Sequence, residues 1–179
     1  MWHTILKYGL IAGGVVGSIL FGTTVAFAGK HPPLAIGMVI GFSSMLLALS
    51  AVFVGIKNYR DHQLGGVIRF WPAFGMGLAI SFIAGVMYVL AWEAATAVTR
   101  MDFAAEYSRL IIEEAKAKGI TGAALDKQIA EMKAFAESYK NPLYRMPITF
   151  TEIFPVGILV SLVSAGLLRN SRFMQLKRA

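Results

Sequence analysis

The chain of 179 residues is 56% hydrophobic and only 15% charged, with a mean hydropathy of +0.62, which is too apolar for a water-soluble domain of this size. It contains no cysteine, and this excludes disulfide frameworks, thiolate metal sites and thiol nucleophiles. Seventeen Lys and Arg against ten Asp and Glu give a net charge of +7, a surplus that in such a chain bears on membrane orientation rather than on nucleic-acid binding.

Taken in chain order, Tyr8 to Ala28 is a charge-free run of 21 residues, Pro32 to Ile56 one of 25, and Phe70 to Trp92 one of 23. A fourth run, Met146 to Leu168, holds 23 residues with the single charge Glu152 near its start. Each exceeds the ~20 residues that cross a ~30 Å hydrocarbon core, where only helices or closed barrels satisfy the backbone. The ten-residue alternation of a barrel is absent, so an all-α membrane protein is expected, with four spans at about 8–28, 34–56, 70–95 and 147–168 in a single domain covering 1–179. Lys7, the apolar run after it and Ala26-Phe27-Ala28 also have the outline of a signal peptide. The run is longer than a signal core and patterned with glycine, so an uncleaved helix is expected.

Residues 100–145 separate the third and fourth spans. Leu125, Ile129, Met132, Ala136 and Tyr139 recur at steps of four and three, the seam of an antiparallel helix pair, and Phe103, Tyr107, Leu110 and Ile111 supply a facing stripe. Gly119 and Gly122 suit a turn, Thr121 an N-cap, and Asn141-Pro142 a stop. The third span is expected to continue as one long helix into this hairpin. Four spans put both termini on one side with the loop Lys57 to Arg69. Lys7, Lys57, Arg60, Arg69, Arg169, Arg172, Lys177 and Arg178 collect there against Asp61 alone. On the other side Lys30 and His31 join a hairpin whose eight basic residues are diluted by seven acidic ones. Basic density near the span ends places the termini in the cytoplasm and the hairpin outside.

Every span carries small residues four apart: Gly9, Gly13 and Gly17; Gly37 and Gly41; Gly77, Ser81 and Gly85; Gly157, Ser161 and Ala165. Apolar helices gain little by leaving lipid for one another, so close approach through small residues is expected to hold a tight bundle, and a stripe left over could build a homodimer. Trp2, Tyr8, Tyr59 and Trp71 at one boundary, and Trp92, Tyr144 and Tyr88 at the other, read as interfacial belts.

Two carboxylates approach the bilayer. Glu93 lies 24 residues past Arg69, about 36 Å along a helix, and reaches the interface, whereas Glu152 lies 17 residues before Arg169, about 26 Å, and sits just inside the hydrocarbon. Thr149-Phe150-Thr151-Glu152 reads as a capping box, and Pro155 frees the carbonyl of Thr151, so Glu152, Thr151 and Glu93 are the candidate ion or proton site. Lys57, Arg60 and Arg69 are candidate contacts for anionic headgroups. His3, His31 and His62 stand in separate segments without metal-ligand spacing, the nine Met form no cluster with His, and no nucleotide or hydrolase motif occurs, so no metal and no cofactor is implied.

Four segments carry a family resemblance. They are Leu6-Lys7-Tyr8-Gly9-Leu10-Ile11-Ala12-Gly13, then Gly55-Ile56-Lys57-Asn58-Tyr59-Arg60-Asp61 with Gly65-Gly66 and Phe70, Tyr139-Lys140-Asn141-Pro142-Leu143, and Phe150-Thr151-Glu152-Ile153-Phe154-Pro155-Val156-Gly157. On these the chain resembles a family of uncharacterised bacterial membrane proteins, domain of unknown function 4199. The resemblance covers nearly the whole chain and implies a four-span inner-membrane protein with a helical loop before the last span, without implying an activity. The expected function is a non-enzymatic interaction, assembly or lipid-organising role, with lipids and a homodimer or another membrane protein as partners. The alternative is a small proton- or cation-coupled transporter that uses Glu152.

Overall fold

Segments this apolar can satisfy their backbone polar groups only within themselves, and they form helices. The computed structural model describes residues 1–28 and 34–175, which fold into α1 (Trp2–Ala26), α2 (Leu34–Gln63), α3 (Phe70–Thr99), α4 (Phe103–Ala117), α5 (Gly122–Tyr139) and α6 (Pro142–Leu168), with no strand. Among these, α1, α2, α3 and α6 are long and apolar enough to cross a membrane. Lys30, His31, Pro32, Lys177 and Arg178 lie outside the described residues.

The bundle is organised around α3, which packs against α1 and α6. A Cβ built at Gly9 would fall 2.8 Å from Cβ of Ile83, one at Gly13 2.7 Å from Cβ of Met87, and one at Gly17 3.2 Å from Cβ of Ala91. On the other contact a Cβ at Gly77 would meet Cβ of Ser161 at 2.8 Å, and one at Gly157 would meet Cβ of Ser81 at 2.6 Å. One at Gly85 would fall 2.6 Å from the Phe150 ring. The two stripes of α3 are offset by two residues, about 200° around a helix, so α1 and α6 flank it from opposite sides. Hydroxyls serve this close approach: Ser161 donates to the carbonyl of Gly157 at 2.6 Å within its own helix, and Ser81 reaches the same carbonyl at 3.4 Å.

α2 fits the groove left between α1 and α6, but along only part of its length. Met45, Ala48, Leu49, Val52, Ile56 and Arg60 are buried at helical spacing, whereas no residue from Ile36 to Ser44 is. The expectation that every span packs through small residues fails here, since a Cβ at Gly37 or Gly41 would meet nothing within 4 Å. The opposite end of α2 is latched. The Arg60 guanidinium, 0% exposed, donates to Asp61 Oδ1 at 2.6 Å, to the carbonyls of Phe173 at 3.0 Å and Leu168 at 3.4 Å, and to that of Met174 at 3.2 Å. It thereby closes the carbonyl end of α6, where helical partners run out, and ties the terminal turn to α2. Gln63 adds a bond to Thr4 at 3.3 Å, joining α2 to the start of α1.

The third long apolar helix does not run on into residues 100–145. α3 stops at Arg100, which takes a left-handed conformation with φ 51°, and Asp102 starts α4 afresh by accepting from the backbone N–H of Ala105 at 3.0 Å. α4 and α5 then pack antiparallel. Phe103 lies 5.8 Å from Tyr139 and Tyr107 lies 6.0 Å from Phe135 between ring centroids, and Ser108 donates to the carbonyl of Met132 at 3.3 Å. Gly119 and Gly122, with φ of 79° and 60°, turn the chain between them. Asn141 does not merely end α5. Its side chain accepts from Leu143 N–H at 3.0 Å, and with Pro142 in the first turn it opens α6.

The rigid contacts at the α3–α6 crossing make a direct test. Gly77→Val is expected to lower stability by about 1–3 kcal/mol through overpacking against Ser161, whereas Gly75→Val, where a Cβ would meet nothing within 4 Å, leaves it almost unchanged. Thermal unfolding of both variants in the same detergent checks the difference.

Candidate functional site

Where α2 leaves the bundle unfilled, a cleft of about 660 Å³ opens between α1, α2, α3 and α6, with α4 over one end. Its volume lies within the ~300–1,000 Å³ of small-molecule sites. Ile36, Met38 and Phe42 on its α2 side are each at least half exposed, so the cleft opens to the surroundings. Gly37 and Gly41 keep that wall shallow, Ile19, Leu20 and Phe27 line it from α1, and Phe103, Tyr107 and Leu110 roof it from α4.

Glu152 lies in the α6 wall of this cleft beside Thr151, Pro155 and Val156. The capping-box reading fails, because α6 begins at Pro142 and Glu152 falls well inside the helix, out of reach of its terminal N–H groups. Thr149 and Thr151 donate back to the carbonyls of Arg145 and Ile148, at 3.1 and 2.7 Å, instead of capping. The partner of Glu152 is Tyr88, a buried residue of α3 whose hydroxyl donates to Oε2 at 3.2 Å. Among the described residues no Lys or Arg pairs with it.

Glu93 is separated from Glu152 in role. Arg145 embraces it with both arms of its guanidinium, Nε to Oε1 at 2.7 Å and Nη2 to Oε2, and sends its third nitrogen to the carbonyl of Tyr139 at 3.3 Å. This pair ties α3 to the start of α6 and matches the Glu93 carboxylate with a guanidinium, whereas Glu152 has no such partner among the described residues. Trp92 and Tyr88 correct the belt reading in the same way, since both are buried. The indole N–H of Trp92 donates to the Tyr139 hydroxyl at 3.0 Å, and its ring lies edge-on to Phe103 at 5.0 Å. Burial holds the Tyr139 phenol above its ordinary range, so it stays protonated beneath the hairpin.

The basic turn divides as well. Arg60 is wholly buried and committed to carbonyls and Asp61, so it offers nothing to a headgroup. Lys57, a quarter exposed, is paired with Asp61 at 2.7 Å, and Arg69 is exposed at the entry to α3. Tyr88, Trp92 and the α4 residues Phe103 and Tyr107 had no motif to mark them as site residues. They join only because the hairpin folds back over α3.

The Glu93–Arg145 pair predicts a coupling. Glu93→Gln and Arg145→Gln each lower thermal stability in detergent, and the double variant loses less than the two singles together, by about 0.5–3 kcal/mol. Additive losses would show that the pair does not act as a unit.

Comparison with known proteins follows from this geometry. No curated protein and no solved structure matches the chain. A family described as proteins of unknown function, DUF4199, matches residues 7–170, a stretch that runs from Lys7 in α1 to just past the end of α6 and includes the residues that line the cleft. The chain therefore belongs to this family of proteins of unknown function, domain of unknown function 4199.

Proposed function

We propose that this protein is a non-enzymatic, multi-pass protein of the bacterial inner membrane that organises lipid by holding an amphiphile from the bilayer in its lateral cleft. The observation that carries the reading is the unfilled groove beside Gly37 and Gly41, a space among apolar walls that opens outward at the level of the spans. An apolar chain gains little on passing from lipid into such walls, so shape and polar groups, above all Glu152 and Tyr88, supply the selectivity. Binding rather than catalysis is favoured because the polar contact at Glu152 is with the Tyr88 phenol, and among the described residues of the cleft no nucleophile is paired with a base oriented by a third group. A second reading has its own support: the Tyr88–Glu152 contact in an open cleft suits a proton- or cation-coupled carrier. The exposed apolar faces of α1 and α2 suit a second copy or another membrane protein as partner.

Trp92 lines the cleft yet is only 8% exposed, which makes it a reporter. In a Trp2→Phe, Trp71→Phe background, lipids brominated on their acyl chains are expected to quench Trp92, and Gly41→Phe, at a position lining the groove where an added Cβ meets nothing within 4 Å, to relieve most of that quenching with unfolding temperature unchanged. Absence of quenching, or equal quenching with Gly41→Phe, removes the cleft as a chain site.

Basic density near the span ends supports cytoplasmic termini and an extracytoplasmic α4–α5 pair. The chain lacks cysteine, so single thiols report this cleanly. A thiol at Lys127 is expected to react with an impermeant reagent from outside, and one at Gln175 only after the cytoplasmic face is opened. The reverse pattern inverts the topology.

A further inference from the structure

We propose that the cleft selects a net-cationic amphiphile, an apolar chain bearing one ammonium group, with Glu152 as its counter-charge. This rests on the cleft reading above and adds the chemistry of the head group. Three observations converge on it. First, the charges lining the cleft are of one sign. Glu106 and Glu152 are present, and among the described residues no Lys, Arg or His lines it. Glu106 is held by Arg109 at 2.6 Å, whereas among the described residues Glu152 is met by the Tyr88 hydroxyl and by no cation. A carboxylate about 26 Å along α6 from Arg169 stands inside the hydrocarbon, where a charge without a counter-charge is costly and an entering cation offsets that cost.

Second, Pro155 follows Glu152 in the same wall and has no N–H, so the carbonyl of Thr151, next to Glu152 in the chain, lacks its helical donor and is left able to accept. Third, the cleft that holds Glu152 is lined by the rings of Tyr88, Trp92, Phe42, Phe103 and Tyr107, and ring faces attract an ammonium but not a neutral head. A zwitterionic phospholipid fits less well, because its phosphate would meet carboxylates and no described basic side chain in the cleft.

The Trp92 quenching assay, in discs of brominated phosphatidylcholine, reads displacement by two probes of equal chain length: dodecyltrimethylammonium, permanently charged, and dodecanol, neutral. For the otherwise native chain the ammonium probe is expected to relieve quenching at about tenfold lower concentration than dodecanol. Glu152→Gln should erase that preference while dodecanol acts as before, which also shows that the variant is folded and its cleft intact. Glu152→Asp should keep most of it. If the two probes act alike on the native cleft, or the preference survives Glu152→Gln, the head-group assignment is overturned while the cleft reading stands. If no quenching is seen at all, the cleft reading itself fails and this assignment with it. If exchanging phosphatidylcholine for phosphatidylethanolamine abolishes displacement by the ammonium probe, the occupant is the zwitterionic lipid and the assignment is likewise overturned.

Discussion

Two helices approach α3 so closely, from opposite sides, that a Cβ added at the glycines of the crossings would press on the side chain opposite. Gly9, Gly13 and Gly17 bring α1 against one face, and the reciprocal contacts Gly77–Ser161 and Gly157–Ser81 bring α6 against the other. Apolar helices in an apolar solvent are held by contact, not by escape from water, so this approach fixes the geometry of the row α1–α3–α6. Everything else is fitted to it. α2 closes the groove between the outer two, but glycine at its outward half gives α1 and α6 nothing to grip.

Polar interactions then decide which end of α2 is closed. Arg60, buried completely, gathers the carbonyl end of α6, the terminal turn and Asp61 into one knot, and Lys57 shares the Asp61 carboxylate. At the far end a different set is joined: Glu93 with Arg145, and the rings of Trp92, Phe103 and Tyr139. These hold the α4–α5 pair to α3 and α6, not to α2. The cleft is the consequence of two well-tied ends with one helix belonging to only one of them. Between the knots Glu152 faces the opening with a single phenol for company. Among the described residues, Asp61 and Glu93 are matched by basic side chains, whereas Glu152, which lines the cleft, meets a phenol instead.

The reading of spans and small-residue stripes needed only local information, because span length and the four-residue recurrence are properties of one helix at a time. The misreadings share a cause. Glycine at four-residue spacing on α2 has the same pattern as on α1, yet one stripe meets a neighbour and the other lines a space. Thr149 to Glu152 has the spacing of a capping box, yet Asn141 and Pro142 start the helix two turns earlier. Arg60 has the sequence context of a surface cation at a positive end, and its burial depends on a turn more than a hundred residues away.

By itself the sequence determined that the chain is helical, that four segments are long and apolar enough to span a bilayer, and that a polar helical pair separates the last two. Those follow from hydropathy and period, which the solvent imposes on every such chain. Only the tertiary structure decided which glycines touch, that Arg60 is a latch, that Glu93 is neutralised by Arg145, and that Tyr88 reaches Glu152 in an open cleft. Each of those is a meeting of residues distant in the chain, and a helix period states which face a residue occupies without stating what, if anything, stands opposite.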